Sequence, residues 1–319
     1  MIAPAARREL EALLGERVRF DVPMSRFTSL RVGGPADAVA EPASRAELLR
    51  VLRLCAAHRL PHTLIGAGFN TLCLDGGLDG VVLQLGRLRR LEERPGRLLR
   101  AEAGVSHSQV ANFCMQRGFA GLEFAAGIPG TVGGWIAMNA GIPGREIGDV
   151  VREIEVASPT GAALRHLARE RLHFRYRALR GLAAGSVVVS ALFAVELSTP
   201  AAVRAAVESL LERRARTQPL SVPSCGSVFK NPPGDFAGRL IESVGLKGRR
   251  IGGAEISKLH ANFIANVGRA TAGDVVALIE EARRAVREQT GRRLEPEVRI
   301  IGSPPAPREL PASAERGGP

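Results

Sequence analysis

The stretch Gly127-Ile128-Pro129-Gly130-Thr131-Val132-Gly133-Gly134-Trp135-Ile136-Ala137-Met138-Asn139-Ala140-Gly141 is the most informative in the chain, and it reads as a phosphate cradle. Its five glycines in fifteen positions permit turns that side chains forbid, and they let amide N–H groups converge on an anion with no Cβ in the way. The apolar residues after Gly134 suit the start of a buried helix. Glycines feeding a helix N-terminus gather unpaired N–H donors and the positive end of the dipole at one place, which favours a bound pyrophosphate. A tight turn between core elements is the plainer reading of a single glycine pair. Five glycines around a fixed proline favour the cradle.

Upstream, Thr63-Leu64-Ile65 reads as a strand entering a second glycine loop, Gly66-Ala67-Gly68-Phe69-Asn70, whose Gly-x-Gly suits close backbone approach to a ligand but is weak alone. Residues 1–20 predict a short amphipathic helix with Leu10, Leu13 and Leu14 on one side. Residues 27–34 alternate apolar and polar before a glycine turn, as a half-buried strand does. Ser44 with Glu47, and Ser106 with Gln109, have capping-box spacing and each opens a helical pattern. Strands are expected at 81–85, 98–103, 150–157 and 186–197. Pro200 marks a boundary, 201–216 is helical by period, and Gln218-Pro219 stops it. A third unit then carries a strand at 262–267, a helix at 272–289 opened by Thr271, and a strand at 298–301. Strands with intervening helices from about 31 to 197 give an α+β class with two cooperating halves.

At 319 residues the chain is long enough for two or three packed units, and 45% hydrophobic content marks it as globular. The net charge of +12 suits anionic partners, but it comes mainly from arginines spread along the whole chain. With one Trp, one Tyr and no basic-aromatic repeat, nucleic acid is not expected and anionic small molecules are favoured. Cys55, Cys73, Cys114 and Cys225 show no CxxC pairing, which predicts reduced thiols and a cytoplasmic setting. No signal-peptide pattern and no transmembrane segment is expected. Six scattered histidines predict no metal site, the missing Gly-x-Gly-x-x-Gly argues against a Rossmann fold, and the missing Gly-x-Ser-x-Gly argues against a serine hydrolase.

What remains for chemistry are polar residues in rigid, apolar surroundings: Ser227 between Gly226 and Val228-Phe229, Arg177 after Tyr176, and Glu297 in Leu294-Glu295-Pro296-Glu297-Val298-Arg299. Each has a plain reading, as a turn serine, a surface cation, and an edge-strand charge partnered by Arg299.

Together the motifs 28–34, 66–70, 127–141, Tyr176-Arg177, 223–232, Arg250-Ile251-Gly252-Gly253 and 294–302 resemble the UDP-N-acetylenolpyruvoylglucosamine reductase family, from about residue 27 to 302. The Ser-Cys-Gly-Ser-Val-Phe form at 224–229 looks like its shorter subtype, which lacks an extra substrate-covering insertion. The resemblance implies a two-part vanillyl-alcohol-oxidase-like FAD-binding domain at 27–198, with halves about 27–79 and 80–198, after an N-terminal helix and lead-in at 1–26. It implies a C-terminal α+β substrate-binding domain at 199–302, and the proline-rich 303–319 is expected to be a disordered tail.

FAD would be gripped by Gly66, Ala67, Gly68, Phe69 and Asn70 and by Gly127, Ile128, Pro129, Gly130, Thr131, Gly133, Gly134 and Asn139. By resemblance, NADPH first reduces the flavin and leaves. The enolpyruvyl UDP-sugar then binds in overlapping space, takes a hydride at its β carbon and needs a proton at its α carbon. The resemblance assigns that proton to Ser227 and stabilisation of the enolate-like carboxylate to Arg177 and Glu297. Tyr176, Lys230, Asn231 and His260 become substrate contacts, and the enzyme is expected to be a monomer. A related FAD-dependent oxidase of a sugar or hydroxy acid, and a non-catalytic nucleotide-binding module, are the alternatives. Phe69 stands where a small hydroxylated residue is usual, and Ile142-Pro143 replaces Ala-Tyr, so the phosphate grip is expected to keep its backbone donors and lose one hydroxyl.

Overall fold

The computed structural model describes residues 1–305, and most of the expected tail, 306–319, lies outside the described residues. Pro4 opens an N-terminal helix, Pro4–Leu14, whose face of Ala6, Leu10 and Leu14 is buried. The helix stops short of the expected residue 20 because Gly15 turns at φ 57° and the chain enters the strand Val18–Pro23.

That strand is an edge of a four-stranded sheet in the order Val18–Pro23, Pro35–Ala40, Leu78–Gln84, His62–Ile65. Its last two pairings are parallel, and the crossover helix Arg45–Ala57 begins at Ser44, whose side chain accepts from Glu47 N. The sheet therefore spans 18–84, wider than the 27–79 half read from the sequence. Residues 27–34 are a turn rather than the expected strand. Thr28 Oγ1 donates to Val32 O at 2.7 Å and accepts from Val32 N, while Arg31 sits at φ 58°, and this local loop removes the backbone groups a ladder would use.

A second, wholly antiparallel sheet has the order Leu164–Ala168, Val151–Ala157, Val187–Ala194, Leu98–Glu102, Leu91–Arg94. The helices His107–Arg117 and Val132–Met138 share its main core, with Trp135, Ile136 and Phe193 at the centre. Val203 of the helix Pro200–Thr217 joins the same core, so that helix packs with this second half rather than with the C-terminal unit to which a boundary at 199 assigns it.

The C-terminal unit is a four-stranded antiparallel sheet, Ser224–Ser227, Phe263–Asn266, Ala254–Ile256, Arg250–Ile251, backed by the helices Ala237–Ser243 and Ala272–Thr290. Leu30, Val32 and Leu72 of the first half enter its core. The Asp75 carboxylate accepts Ala272 N and Gly273 N at 2.9 Å each, capping the long helix from the first half. The chain then returns as Arg299–Ile301, parallel to Thr71–Cys73, and Ser303 still pairs with Gly77, so the described start of the expected tail is fixed to the body. Among the described residues no helix is long and apolar enough to cross a membrane.

Candidate active site

The two glycine loops face each other. A Cβ on Gly66 would lie 2.8 Å from Thr131 Oγ1, and one on Gly127 would meet nothing within 4 Å. The helix after the second loop starts at Val132, before Gly133-Gly134 rather than after it, and Thr131 at its N-cap makes no side-chain cap. Gly133 N donates to Ala103 O at 2.9 Å, and this close approach favours glycine because a Cβ would lie 3.0 Å from Ala103 Cβ. Ile128 is pinned below by Trp135 Nε1 donating to its carbonyl at 3.1 Å. Among the described residues no protein acceptor meets the backbone N–H groups of Ala67, Gly68, Phe69 and Asn70, nor those of Gly130, Thr131 and Gly134. Free backbone donors on both loops, with open space beside Gly127, fit the diphosphate of an extended dinucleotide.

Two basic side chains lie beside this cradle that the sequence reading left out. His107 N donates to Gly130 O at 3.1 Å, and burial together with neighbouring Arg214 holds its imidazole below the ordinary value. The Arg214 guanidinium is half-buried and held by Gln218 Oε1 at 3.0 Å. Nothing in the local pattern marked them, because they come from two helices far apart in the chain.

Two residues expected on the cofactor are engaged elsewhere. Asn139, at φ 41° and ψ 54° at the end of the helix, is 1% exposed. It donates to Glu146 Oε2 at 2.6 Å and to Arg175 O at 3.1 Å, and accepts from Gly148 N at 2.9 Å. With its side chain so engaged, it holds the hairpin His173–Arg175/Ala178–Arg180 in place. Asn70 donates to Glu297 O at 3.1 Å, and its own carbonyl accepts Arg299 N at 3.1 Å.

That hairpin turns on two residues, Tyr176 and Arg177, with Arg177 in the left-handed region at φ 56°. Its guanidinium crosses to the C-terminal unit, where Nε donates to Glu297 Oε1 at 3.0 Å, while a terminal nitrogen donates to Gly141 O at 3.1 Å. It also lies 4.8 Å over the Tyr176 ring. Glu297 pairs here rather than with Arg299, and Arg177 is no free surface cation: the two side chains are 18% and 15% exposed. Burial raises the Glu297 carboxyl above its ordinary value, and Arg177 and Lys230 only partly oppose this.

Ser227 reaches the same place along the backbone. A bulge between Ser224 and Ser227, with Gly226 at φ 72°, re-aims the strand end. The next residue, Val228, accepts Glu297 N at 2.7 Å. Ser29 Oγ lies 2.7 Å from Ser224 O and 3.0 Å from Gly68 O, bridging this strand to the first glycine loop. A Cβ on Gly226 would lie 3.5 Å from Phe69 O, so the serine strand rests directly on that loop.

Lys230 is paired with Glu295, and Asn231 N donates to Tyr176 Oη at 3.4 Å while Asn231 Oδ1 accepts Ala237 N at the start of a helix. His260 stays apart from these contacts. Its Nδ1 accepts Asn262 N at 3.2 Å, its ring meets Phe263 edge-on at 4.9 Å, and burial lowers its basicity, so the structure gives it a packing role.

Comparison with known proteins follows this division of the chain. Residues 36–166 match the FAD binding domain family, and residues 218–301 match the C-terminal domain of UDP-N-acetylenolpyruvoylglucosamine reductase. The reductase of that name from Geobacter metallireducens is 45% identical over 290 residues, 91% of this chain and 95% of its own length. The chain belongs to the UDP-N-acetylenolpyruvoylglucosamine reductase family. The relative from Moorella thermoacetica is 46% identical over 295 residues, covering 92% of this chain and 96% of its own. The crystal structure of the Thermus caldophilus reductase (MurB) superposes with a TM-score of 0.77 at 33% identity, covering 89% of this chain and all of that one. The fold is thus that of the family: an FAD-binding domain in two halves and a C-terminal α+β domain. Arg177, which lies between the two matched segments, meets Glu297 of the C-terminal one.

Proposed function

We propose that the chain reduces UDP-N-acetylglucosamine enolpyruvate to UDP-N-acetylmuramate with electrons from NADPH, in the synthesis of peptidoglycan precursors. We place it in the cytoplasm as a monomer. The observation that carries this reading is the half-buried Arg177–Glu297 pair beside the Ser227 strand, set against two facing glycine loops.

Bound FAD supplies the chemistry of accepting a hydride from NADPH and passing it on. The backbone donors of 67–70, 130–131 and Gly134 would hold its diphosphate. Among the protein's own groups, Arg177 offers a planar, permanently charged fork to the substrate carboxylate, where negative charge grows as the β carbon receives hydride. Gly141 O and the Tyr176 ring orient that fork. Glu297, which burial biases toward its protonated form, donates a hydrogen bond to the same carboxylate. Ser227 gives its hydroxyl proton to the α carbon, and water reprotonates the resulting alkoxide. Lys230 and Asn231 of the C-terminal unit, with Tyr176 of the hairpin joined to Asn231 through its Oη, form the substrate contact.

The test is product analysis. FAD-loaded protein given NADPH and the enolpyruvyl sugar should yield a product heavier by two hydrogens, with dioxygen uptake far slower than NADPH consumption. Dioxygen uptake driven by a sugar or hydroxy acid, with no reduction of the enolpyruvyl group, would instead make the protein an oxidase.

A further inference from the structure

Glu295 and Glu297 stand two residues apart on the segment that enters Arg299–Ile301, and each carboxylate holds a different cation. Glu297 pairs with Arg177, and Glu295 pairs with Lys230 Nζ. The backbone enforces the second pairing. Lys230 N donates to Glu295 O at 2.9 Å, and Phe229 forms a bridge with Pro296, so the two side chains leave neighbouring positions of one paired segment. Lys230 also pulls the Glu297 carboxyl downward against the larger effect of burial, so its charge is felt by both acids of the segment. The Glu295 side chain is 71% exposed and the Lys230 side chain 25%, so the acid can swing into water while the base stays at the cleft.

We propose that Glu295 is a resident anion that occupies Lys230 in the free protein, and that the diphosphate of the UDP-sugar binds by displacing it. This rests on the reading of Lys230 as a substrate contact. The displaced carboxylate loses little, because an ion pair this exposed is weak and screened. Its competition still weakens every anion that seeks Lys230 by the same factor, about two- to fivefold for a pair of this kind. Glu295 is in this sense a positioning residue: it holds the Lys230 ammonium, while Glu297 pairs with Arg177.

The probe is UDP, titrated calorimetrically into the FAD-loaded protein, with KM for the enolpyruvyl sugar measured alongside. Glu295→Gln should tighten UDP about two- to fivefold at low salt, with the gain shrinking as ionic strength rises. KM should fall by a similar factor while kcat does not rise. In a Lys230→Ala background the same change should have no effect on UDP. If Lys230→Ala weakens UDP but Glu295→Gln fails to tighten it, displacement is overturned and Lys230 keeps its place. If Lys230→Ala leaves UDP affinity unchanged, the reading of Lys230 fails and takes this inference with it. An unchanged melting temperature shows that each variant is folded.

Discussion

Arg177 and Glu297 are 120 residues apart in sequence and meet through a 3.0 Å hydrogen bond from Nε to Oε1. One sits at the tip of a two-residue hairpin turn, the other at the entry to the last strand, so the bond closes the FAD-binding half against the C-terminal unit. Burial there keeps the carboxyl raised despite its cationic partner.

A pH dependence follows. Because the folded Glu297 holds its proton more tightly than an ordinary carboxyl, its contribution to stability is complete below the unfolded value and is lost as pH rises through the folded one. Reduction of the enolpyruvyl substrate should decline over the same window. Glu297→Gln, which keeps a donor and cannot ionise, should flatten that limb in a pH–rate profile, whereas Glu297→Ala should lower the rate at every pH.

Asn139→Ala should loosen the Arg177 hairpin. The change leaves the buried Gly148 N–H without its acceptor and frees Arg175 O, at a cost of about 1–3 kcal/mol. Denaturant unfolding should show that loss, and KM for the enolpyruvyl sugar should rise while FAD content stays near normal.

Gly68→Ala should fail more severely than Gly66→Ala. Gly68 is at φ 71°, where a side chain costs about 1–2 kcal/mol, and its Cβ would lie 2.1 Å from Phe27 O, a backbone atom. At Gly66 the nearest atom is the Thr131 hydroxyl at 2.8 Å, which can rotate away. Thermal melts should separate the two, with Gly66→Ala showing weaker FAD retention and a small change in stability.

Phe69→Ser restores a hydroxyl to a loop whose backbone donors are free. One added hydrogen bond to a charged phosphate is worth about 1.5–3 kcal/mol, which sets the upper bound on the tightening of FAD seen by fluorescence titration.

Much of this site was legible in the sequence because its residues sit in compact local motifs. The glycine loops were marked by their own residues, whereas Tyr176, Arg177, Ser227 and Glu297 took their roles from the family resemblance that the motifs around them carry. The partnerships were not legible. Arg299 stood two residues from Glu297 and looked like its counter-ion, yet the ion that reaches it comes from another sheet. Asn139 looked like a cofactor ligand because it ends a glycine-rich run, but only the folded hairpin reveals the carbonyl and carboxylate it serves. Residues 27–34 alternate like a strand, and the Thr28 hydroxyl closing on Val32 is invisible to a pattern of polarity. The helix Pro200–Thr217 advertised its apolar face without saying which core would receive it.

The most direct test of the central claim is the flavin absorbance band, followed anaerobically through two additions. NADPH should bleach it, and the enolpyruvyl UDP-sugar should then restore it in proportion to the sugar added. Ser227→Ala should bleach normally and recover about 10²- to 10⁴-fold more slowly. A bleached band that the sugar leaves unchanged and dioxygen restores, or equal recovery in Ser227→Ala and the wild type, would contradict the account.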